Sequence, residues 1–319
     1  MTQLFISGLT FKKYQGAGND FVIIDNRENQ WEKWIKTIEL QPFAEEQFIK
    51  SKPFQKVNQV VFQLCHRYFG IGADGLMLLQ NHADADFEMV YFNSDGHLSS
   101  MCGNGGRCIA HFAIDLGIGH KGKMTFIAPD GLHTATVKGN EVSLSMNPVS
   151  VIQPVDNEPG AWELNTGSPH YIQILDTNLF AAADSSLKDL NDANFVQWAK
   201  TIRYNNTYQR TGINVNAVEP SLNSSLAAQN SNPSISMRTY ERGVENETLS
   251  CGTGVTAAAI AYFQQYLLPS SPIANAIHTI DVKTKGGNLS VTFAFSAEKQ
   301  YHSIFLIGPA ECVFDGSLV

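Results

Sequence analysis

The hydrophobic positions of this chain fall mostly into short runs punctuated by glycine, proline, asparagine and aspartate, the pattern of strands joined by turns. Leu9 to Lys13 reads as a strand, Gly16-Ala17-Gly18-Asn19-Asp20 as a turn, and Phe21 to Asp25 as a second strand. Trp31 to Tyr68 is helix-like, with a polar middle broken by proline at Gln41-Pro42 and Lys52-Pro53. The glycine turn Gly70 to Gly75 then feeds an apolar strand at Leu76 to Leu79. Phe87 to Asn93 alternates as another strand, which Ser94-Asp95-Gly96 ends. Two runs differ from this pattern. Ile109 to Ile114 and Thr256 to Phe263 are mostly apolar, contain alanine, and read as buried helices.

Each helical run is introduced by the same device. Met101-Cys102-Gly103-Asn104-Gly105-Gly106-Arg107-Cys108 precedes the first, and Ser250-Cys251-Gly252-Thr253-Gly254-Val255 the second. The surroundings repeat as well. Short strands at Met124 to Ala128, Thr134 to Lys138 and Glu141 to Asn147 follow the first helix. In the second half, Thr166 to Leu175 reads as turn and strand, Leu187 to Ile202 as helix, and Gly212 to Glu219 and Ser236 to Glu241 as strands. Strands at Ile280 to Thr284, Leu289 to Phe295 and Ser303 to Ile307 complete it. Cys102 and Cys251 stand almost half the chain length apart, so the pattern predicts a duplicated α/β (α+β) fold. In each half a curved mixed sheet buries one apolar helix. Asn147 to Pro159, with three prolines, reads as the crossover between halves, and Pro220 to Pro233 as a surface insertion.

Composition narrows the function classes. With 319 residues, 43% hydrophobic and 16% charged, the chain has the balance of a soluble globular protein of two ordinary domains. A net charge of -8 gives no general attraction to nucleic acid or to an anionic membrane surface, so a carboxylate substrate needs local donors. No secretory signal precedes the first strand, and no apolar run reaches membrane-spanning length. Five cysteines, an odd count, point to free thiols in a reducing cytoplasm. Cys65, Cys108 and Cys312 fit the role of small buried hydrophobes.

Cys102 and Cys251 do not fit that role, because both are set in glycine turns at predicted helix N-termini. There the unpaired N–H groups and the positive dipole end favour an anion and lower a thiol's pKa. A thiolate can serve as a general base and a thiol as a general acid. Two such sites suit inversion of a carbon next to a carboxylate, where one face loses a proton and the other gains one. The same N–H groups can bind the carboxylate and stabilise a carbanion, and no metal or organic cofactor is required. A metal site needs ligands at closer spacing than Cys102 and Cys108 offer. A redox pair lacks thioredoxin-like spacing but stays open, as do plain structural cysteines. Gly16-Ala17-Gly18 follows a strand but leads into a strand rather than a helix, so a dinucleotide-binding context is missing.

Six motifs in order extend over nearly the whole chain: Gly16-Ala17-Gly18-Asn19-Asp20-Phe21, Gly70-Ile71-Gly72-Ala73-Asp74-Gly75, Phe92-Asn93-Ser94-Asp95-Gly96, Cys102 to Cys108, Tyr240-Glu241-Arg242-Gly243 and Cys251-Gly252-Thr253-Gly254. Together they resemble the diaminopimelate epimerase family. The proline and hydroxyproline racemases are similar around both cysteines but usually carry histidine where Asn104 stands. The resemblance implies two pseudo-symmetric domains, each a mixed sheet wrapped around a central helix, with the active site in the cleft between them. The implied domains are 1–147 with a returning C-terminal strand at 308–319, and 148–307. The implied reaction is cofactor-independent, metal-independent interconversion of LL- and meso-2,6-diaminopimelate, in lysine and cell-wall precursor synthesis, by a cytoplasmic homodimer.

By the same resemblance Cys102 and Cys251 are the acid/base pair, and Gly103, Asn104, Gly252 and Thr253 bind the carboxylate at the reacting centre. Asn19, Asn93 and Asn214 match side chains that contact substrate. Glu241 and Arg242 match the amine- and carboxylate-binding pair, and His170 matches a histidine beside the reacting amine, so that His170 and Glu241 support catalysis. Arg242, Asn93 and Asn214 are the candidates for gripping the distal end. Two departures bear on substrate orientation: Ser168 stands where many members have asparagine, and Gly75 where some have glutamine. The alternatives are a racemase of another amino acid, such as proline, and a non-catalytic amino-acid-binding module.

Overall fold

The computed structural model describes residues 8–38, 55–150, 152–176, 187, 189–221, 232–270 and 276–318. The expected proline break at Gln41-Pro42 and Lys52-Pro53 lies outside them, as does most of the expected insertion from Pro220 to Pro233. The chain divides into two compact units, Met1–Val142 with Ala310–Val319, and Ser143–Pro309.

The first unit runs β1 (Leu9–Gly16), β2 (Asn19–Asp25), α1 (Gln30–Thr37), α2 (Lys56–Cys65), β3 (Gly75–Gln80), β4 (Phe87–Asn93), α3 (Gly103–Asp115), β5 (Lys123–Ala128) and β6 (Gly131–Lys138). β1 and β2 are antiparallel, β2 and β3 parallel, β3 and β4 antiparallel, β4 and β5 parallel, and β5 and β6 antiparallel. Each parallel step needs a crossover. α1 and α2 supply the first, and α3 the second. β2 and β3 are nearly continuous apolar runs because both faces of the sheet are covered. On one face Val22, Ile24, Leu76 and Leu78 pack with Trp31, Trp34, Val60, Val61 and Leu64 of α1 and α2. The alternate residues Phe21, Ile23, Met77 and Leu79 are fully buried, and α3 packs against β1, β2 and β3.

The chain passes between units within β7 (Glu141–Met146). The second unit then repeats the scheme with β8 (Ile152–Pro154), β9 (Ala161–Asn165), β10 (Pro169–Ile174), α4 (Phe195–Arg203), β11 (Asn214–Pro220), β12 (Ser234–Glu241), β13 (Asn246–Thr248), α5 (Gly252–Tyr262), β14 (Ile277–Thr284), β15 (Gly287–Phe295) and β16 (Tyr301–Pro309). From β9 through β10, β11, β12, β14 and β15 the pairings are again antiparallel, parallel, antiparallel, parallel, antiparallel. β15 adds β16 antiparallel. α4 covers one face, with Phe195, Trp198, Ala199 and Ile202 packed on Tyr171, Val215 and Ala217. Every residue of α5 is buried, which is why that segment is apolar all round. The last strand, β17 (Glu311–Leu318), pairs antiparallel with β1 in the first unit.

Three readings of local structure are corrected. The helix expected from Leu187 starts only at Phe195, because Asp189 and Asp192 accept hydrogen bonds from the backbone N–H groups of Asn191 and Asn194 and hold turns there. The crossover from Asn147 to Pro159 contains β8, which pairs with β9, a strand not expected from the sequence. Cys312 is exposed rather than a buried hydrophobe, since it lies on β17, where Glu311 to Asp315 all face solvent. Cys65 and Cys108 are buried.

Candidate active site

Cys102 and Cys251 each occupy the residue before a buried helix, with nearly equal extended backbone angles, φ -112° and ψ 118° for Cys102, φ -122° and ψ 113° for Cys251. Neither side chain caps its own helix. In this position the first-turn N–H groups have no intrahelical acceptor, the arrangement that suits a helix start to an anion. The third residue after each cysteine is glycine where the helix start lies close to the sheet, more tightly at Gly254 than at Gly105. A Cβ at Gly105 would meet Met77 Sδ at 3.2 Å and Phe21 Cε1 at 3.5 Å; at Gly254 it would meet Asn216 Oδ1 at 2.8 Å and His170 Cε1 at 3.3 Å. Close seating of the helix on its sheet is what the Cys-Gly-x-Gly pattern encodes.

In the first unit, Cys102 Sγ donates to Asn19 Oδ1 at 3.5 Å. The Asn19 amide is oriented by its other end, because Nδ2 donates to the Asp74 carboxylate. Asp74 and Asp20 exchange hydrogen bonds with each other's backbone N–H, and Arg67 clamps both, donating to Asp20 at 2.6 and 2.7 Å and to Asp74 at 2.6 Å. Lys13 pairs with Asp20 at 2.8 Å. Burial alone raises the pKa of Asp20, but the hydrogen bonds from Arg67 and Lys13 outweigh it and hold the group below the usual carboxylate range. Burial, together with the charge of Asp20, pushes Asp74 the other way. Arg107, on the same helix as Cys102, is fully buried; burial brings its guanidinium down to about 10, so it stays charged at neutral pH. Asn104 is fully buried, and Asn93 ends β4 in the turn closed by the Gly96 N–H to the Asn93 carbonyl.

In the second unit, Cys251 Sγ lies 3.4 Å from Thr253 Oγ1, and Thr253 Oγ1 lies 2.9 Å from His170 Nε2. His170 Nδ1 accepts from Asn216 Nδ2 at 3.1 Å, and Thr239 Oγ1 donates to Asn216 Oδ1 at 2.9 Å. The same Asn216 Nδ2 donates to the Tyr171 carbonyl at 3.0 Å. His170 is fully buried, and burial, with a smaller contribution from the charge of Arg242, depresses its pKa to about 3. Asn214 donates to Ser168 Oγ at 2.9 Å and to the Pro169 carbonyl at 3.2 Å, and accepts from the Arg242 backbone N–H at 2.8 Å. The exposed Arg242 guanidinium reaches the Thr211 carbonyl at 3.1 Å and Ser168 Oγ at 3.4 Å. Ser168 thus links Asn214 and Arg242. Glu241 ends β12 and is half-buried.

The structure therefore brings Asn19 to Cys102, and Thr253 and His170 to Cys251, and it joins Asn214 to Arg242. The Gly75 departure has a packing basis: a Cβ there would meet the Phe92 carbonyl and the Tyr91 ring, each at 2.5 Å. Tyr91 occupies the room a side chain at 75 needs. The reading of the sequence missed Asp74, Asn216, Thr239 and Thr166, whose hydroxyl donates to the Thr253 carbonyl at 2.8 Å. Asn214 and Asn216, two asparagines at strand period in an apolar strand, were a visible signal for one of them. Among the described residues no group of three or more His, Cys, Asp and Glu is arranged to hold a metal ion, and no helix is long and apolar enough to cross a membrane.

Comparison with known proteins agrees with the motif reading. The family model described as diaminopimelate epimerase matches residues 11–152 and 164–313. The diaminopimelate epimerase of Flavobacterium psychrophilum is 42% identical over 308 residues, covering 96% of this chain and 98% of that protein. That of Aquifex aeolicus is 34% identical over 321 residues, covering 97% and 98%. Among solved structures, a Bacillus anthracis phenazine biosynthesis protein of the PhzF family superposes with a TM-score of 0.61 at 12% identity, covering 98% of this chain and 99% of that one, a likeness of fold. With the family model spanning both units and relatives this similar along their full length, the chain belongs to the diaminopimelate epimerase family.

Proposed function

We propose that this chain interconverts LL- and meso-2,6-diaminopimelate, in lysine and cell-wall precursor synthesis, with Cys102 and Cys251 as the two acid/base groups. The observation that carries the reading is the duplicated helix start. Each unit presents one thiol before a buried helix, with an engaged polar side chain beside its sulfur. In the forward direction one thiolate removes the α-proton from one face. The negative charge spreads into the neighbouring carboxylate, and the other thiol delivers a proton to the opposite face. No proton is gained or lost overall, and the two sulfurs end with their ionisation states exchanged.

First-turn N–H groups at Gly103, Asn104, Gly252 and Thr253 hold the carboxylate and stabilise the carbanion, the role that fixed donors serve best in a site closed to water. No metal or organic cofactor takes part. Arg242 offers a guanidinium fork for the distal carboxylate, backed by Ser168 and Asn214. Glu241 meets an amine, and Asn19 and Asn93 contact the substrate from the first unit. The odd number of cysteines fits a cytoplasmic enzyme, and the family resemblance extends the reading to a homodimer.

The test is solvent deuterium incorporation at the α-carbon of diaminopimelate, with proline as the comparison substrate. Wild type incorporates deuterium into diaminopimelate and not into proline, and Cys102→Ala and Cys251→Ala each abolish net epimerisation while keeping the wild-type circular dichroism. Ordinary turnover by either variant refutes the two-thiol scheme; exchange into proline alone refutes the substrate, and exchange into neither supports a binding module.

A further inference from the structure

The two units share a backbone scheme but not the side chains beneath their cysteines. Register makes the correspondence explicit. Phe21 of β2 pairs with Gly75 of β3, and His170 of β10 pairs with Asn214 of β11; two residues on, Ile23 pairs with Met77 and Ile172 with Asn216. The helix start of Cys102 therefore sits on Phe21 and Met77, and that of Cys251 on His170 and Asn216. An apolar floor in one unit is a hydrogen-bonded polar floor in the other.

The polar floor has a fixed direction. The Tyr171 carbonyl can only accept, so the Asn216 atom 3.0 Å from it is Nδ2, which also donates to His170 Nδ1 at 3.1 Å. With Nδ1 an acceptor, the neutral ring carries its hydrogen on Nε2 and donates to Thr253 Oγ1 at 2.9 Å. Asn214 Nδ2 lies 3.5 Å from Nε2 but directs its hydrogens to Ser168 and Pro169. The Thr253 hydroxyl, already accepting from His170, keeps its own hydrogen to give, and Cys251 Sγ lies 3.4 Å from its oxygen. Around Cys102 the sense is reversed, since Asn19 presents a carbonyl oxygen to the sulfur.

We propose that Thr239, Asn216, His170 and Thr253 form a one-directional hydrogen-bond relay that ends on Cys251 Sγ and selectively stabilises its thiolate. His170 is accordingly a positioning residue, a neutral donor acting through Thr253, rather than a base for the substrate amine. The inference rests on the two-thiol reading of the reaction. Ionisable groups near each sulfur must be kept in view. Near Cys251 these are His170 on β10 and, beyond it, Arg242; near Cys102 they are Arg107 and Cys108 on α3 and, beyond Asn19, Asp20, Asp74, Arg67 and Lys13. Burial depresses the His170 pKa to about 3, so the ring keeps the same donor polarity across the working pH range.

The test is peptide-resolved alkylation of the full-length protein by iodoacetamide between pH 5 and 10. The midpoint of each cysteine's pH–rate profile is read, because the midpoint, unlike the absolute rate, does not depend on access. Thr253→Val removes the terminal donor. Its Cys251 midpoint rises by about one pH unit, which is about tenfold slower alkylation at a fixed pH below the midpoint. Cys102 in the same samples keeps its wild-type midpoint, and Thr253→Ser keeps the wild-type midpoint for Cys251. His170→Phe, which installs the first unit's residue at this position, raises the Cys251 midpoint in the same direction. An unchanged Cys251 midpoint in Thr253→Val overturns the relay, and so does an equal shift at both cysteines. The readout needs no turnover, so failure of the relay is distinguished from failure of the two-thiol scheme, which deuterium exchange by the alanine variants decides.

Discussion

Replacing either glycine three residues after the cysteines tests whether the helix starts are seated as tightly as the geometry says. In Gly254→Ala the new Cβ falls 2.8 Å from Asn216 Oδ1 and 3.3 Å from His170 Cε1. Asn216 cannot swing away freely, because it is bonded to Thr239 at 2.9 Å, to the Tyr171 carbonyl at 3.0 Å and to His170 at 3.1 Å. Either one of these buried bonds breaks, at about 1–3 kcal/mol, or the helix start shifts, at a similar cost for overpacking. Alanine returns roughly 0.5–1 kcal/mol of helix preference, leaving a net loss of about 1–2 kcal/mol.

In Gly105→Ala the nearest atom is Met77 Sδ at 3.2 Å, followed by ordinary contacts at 3.5 Å. A thioether end moves easily, so this variant is expected within about 0.5–1 kcal/mol of wild type, on the stabilising side. Urea unfolding followed by circular dichroism should separate the two variants by about 2 kcal/mol. Epimerase kcat/KM should fall on the order of 100-fold for Gly254→Ala, since displaced N–H groups stabilise the carbanion poorly, and by less than tenfold for Gly105→Ala. Equal stabilities for the two variants, or a larger loss at Gly105, would refute this account of the helix seats.

His170 should leave a signature in the pH dependence of stability. Its folded pKa of about 3 lies below the unfolded value, so the unfolded chain binds the extra proton and stability is lost as pH falls below about 6.5, by about 2 kcal/mol at pH 5. His170→Phe should be flatter than wild type between pH 7 and 5 in urea unfolding, and parallel curves would contradict the buried neutral ring. Ser168→Ala removes the hydroxyl shared by Asn214 and Arg242. It should raise KM about tenfold with little change in kcat, as expected for weakened ground-state binding of the distal carboxylate; a pure kcat effect would place Ser168 at the reacting end instead.

The readable part of the fold was what repeats. Alternating and continuous apolar runs gave most strands, and the two glycine-flanked cysteines gave both buried helices, because their chemistry is local. What escaped was set by partners distant in sequence. The start of α4 is delayed by Asp189 and Asp192 turning back on nearby N–H groups, a competition that apolar spacing does not reveal. Cys312 looks like any buried cysteine until β17 is seen with its Glu311 to Asp315 stretch facing solvent. The motif residues of the site were legible individually, but their joint action was not. Asp74 orients Asn19 across more than fifty residues, and Asn216 and Thr239 meet only because β11 and β12 pair in that register.

A duplicated fold catalysing epimerisation faces a constraint that its symmetry does not solve. Two identical thiol environments would share one proton without preference, whereas a two-base reaction run in a given direction needs a particular sulfur charged and the other protonated when substrate binds. The backbone cannot supply the difference, since both cysteines stand just before a buried helix with almost the same angles and both helix starts offer the same kind of donors. It must come from side chains that the duplication left free to diverge. These include the residues facing the glycines of each helix start: Phe21 and Met77 in one unit, His170 and Asn216 in the other. The first pair can only pack, and leaves Cys102 to an oxygen acceptor on Asn19. The second pair can orient a hydroxyl 3.4 Å from Cys251 Sγ, which in the proposed relay donates to it. Divergence in the floor beneath a repeated scaffold is thus a sufficient means of making two equivalent thiols chemically unequal.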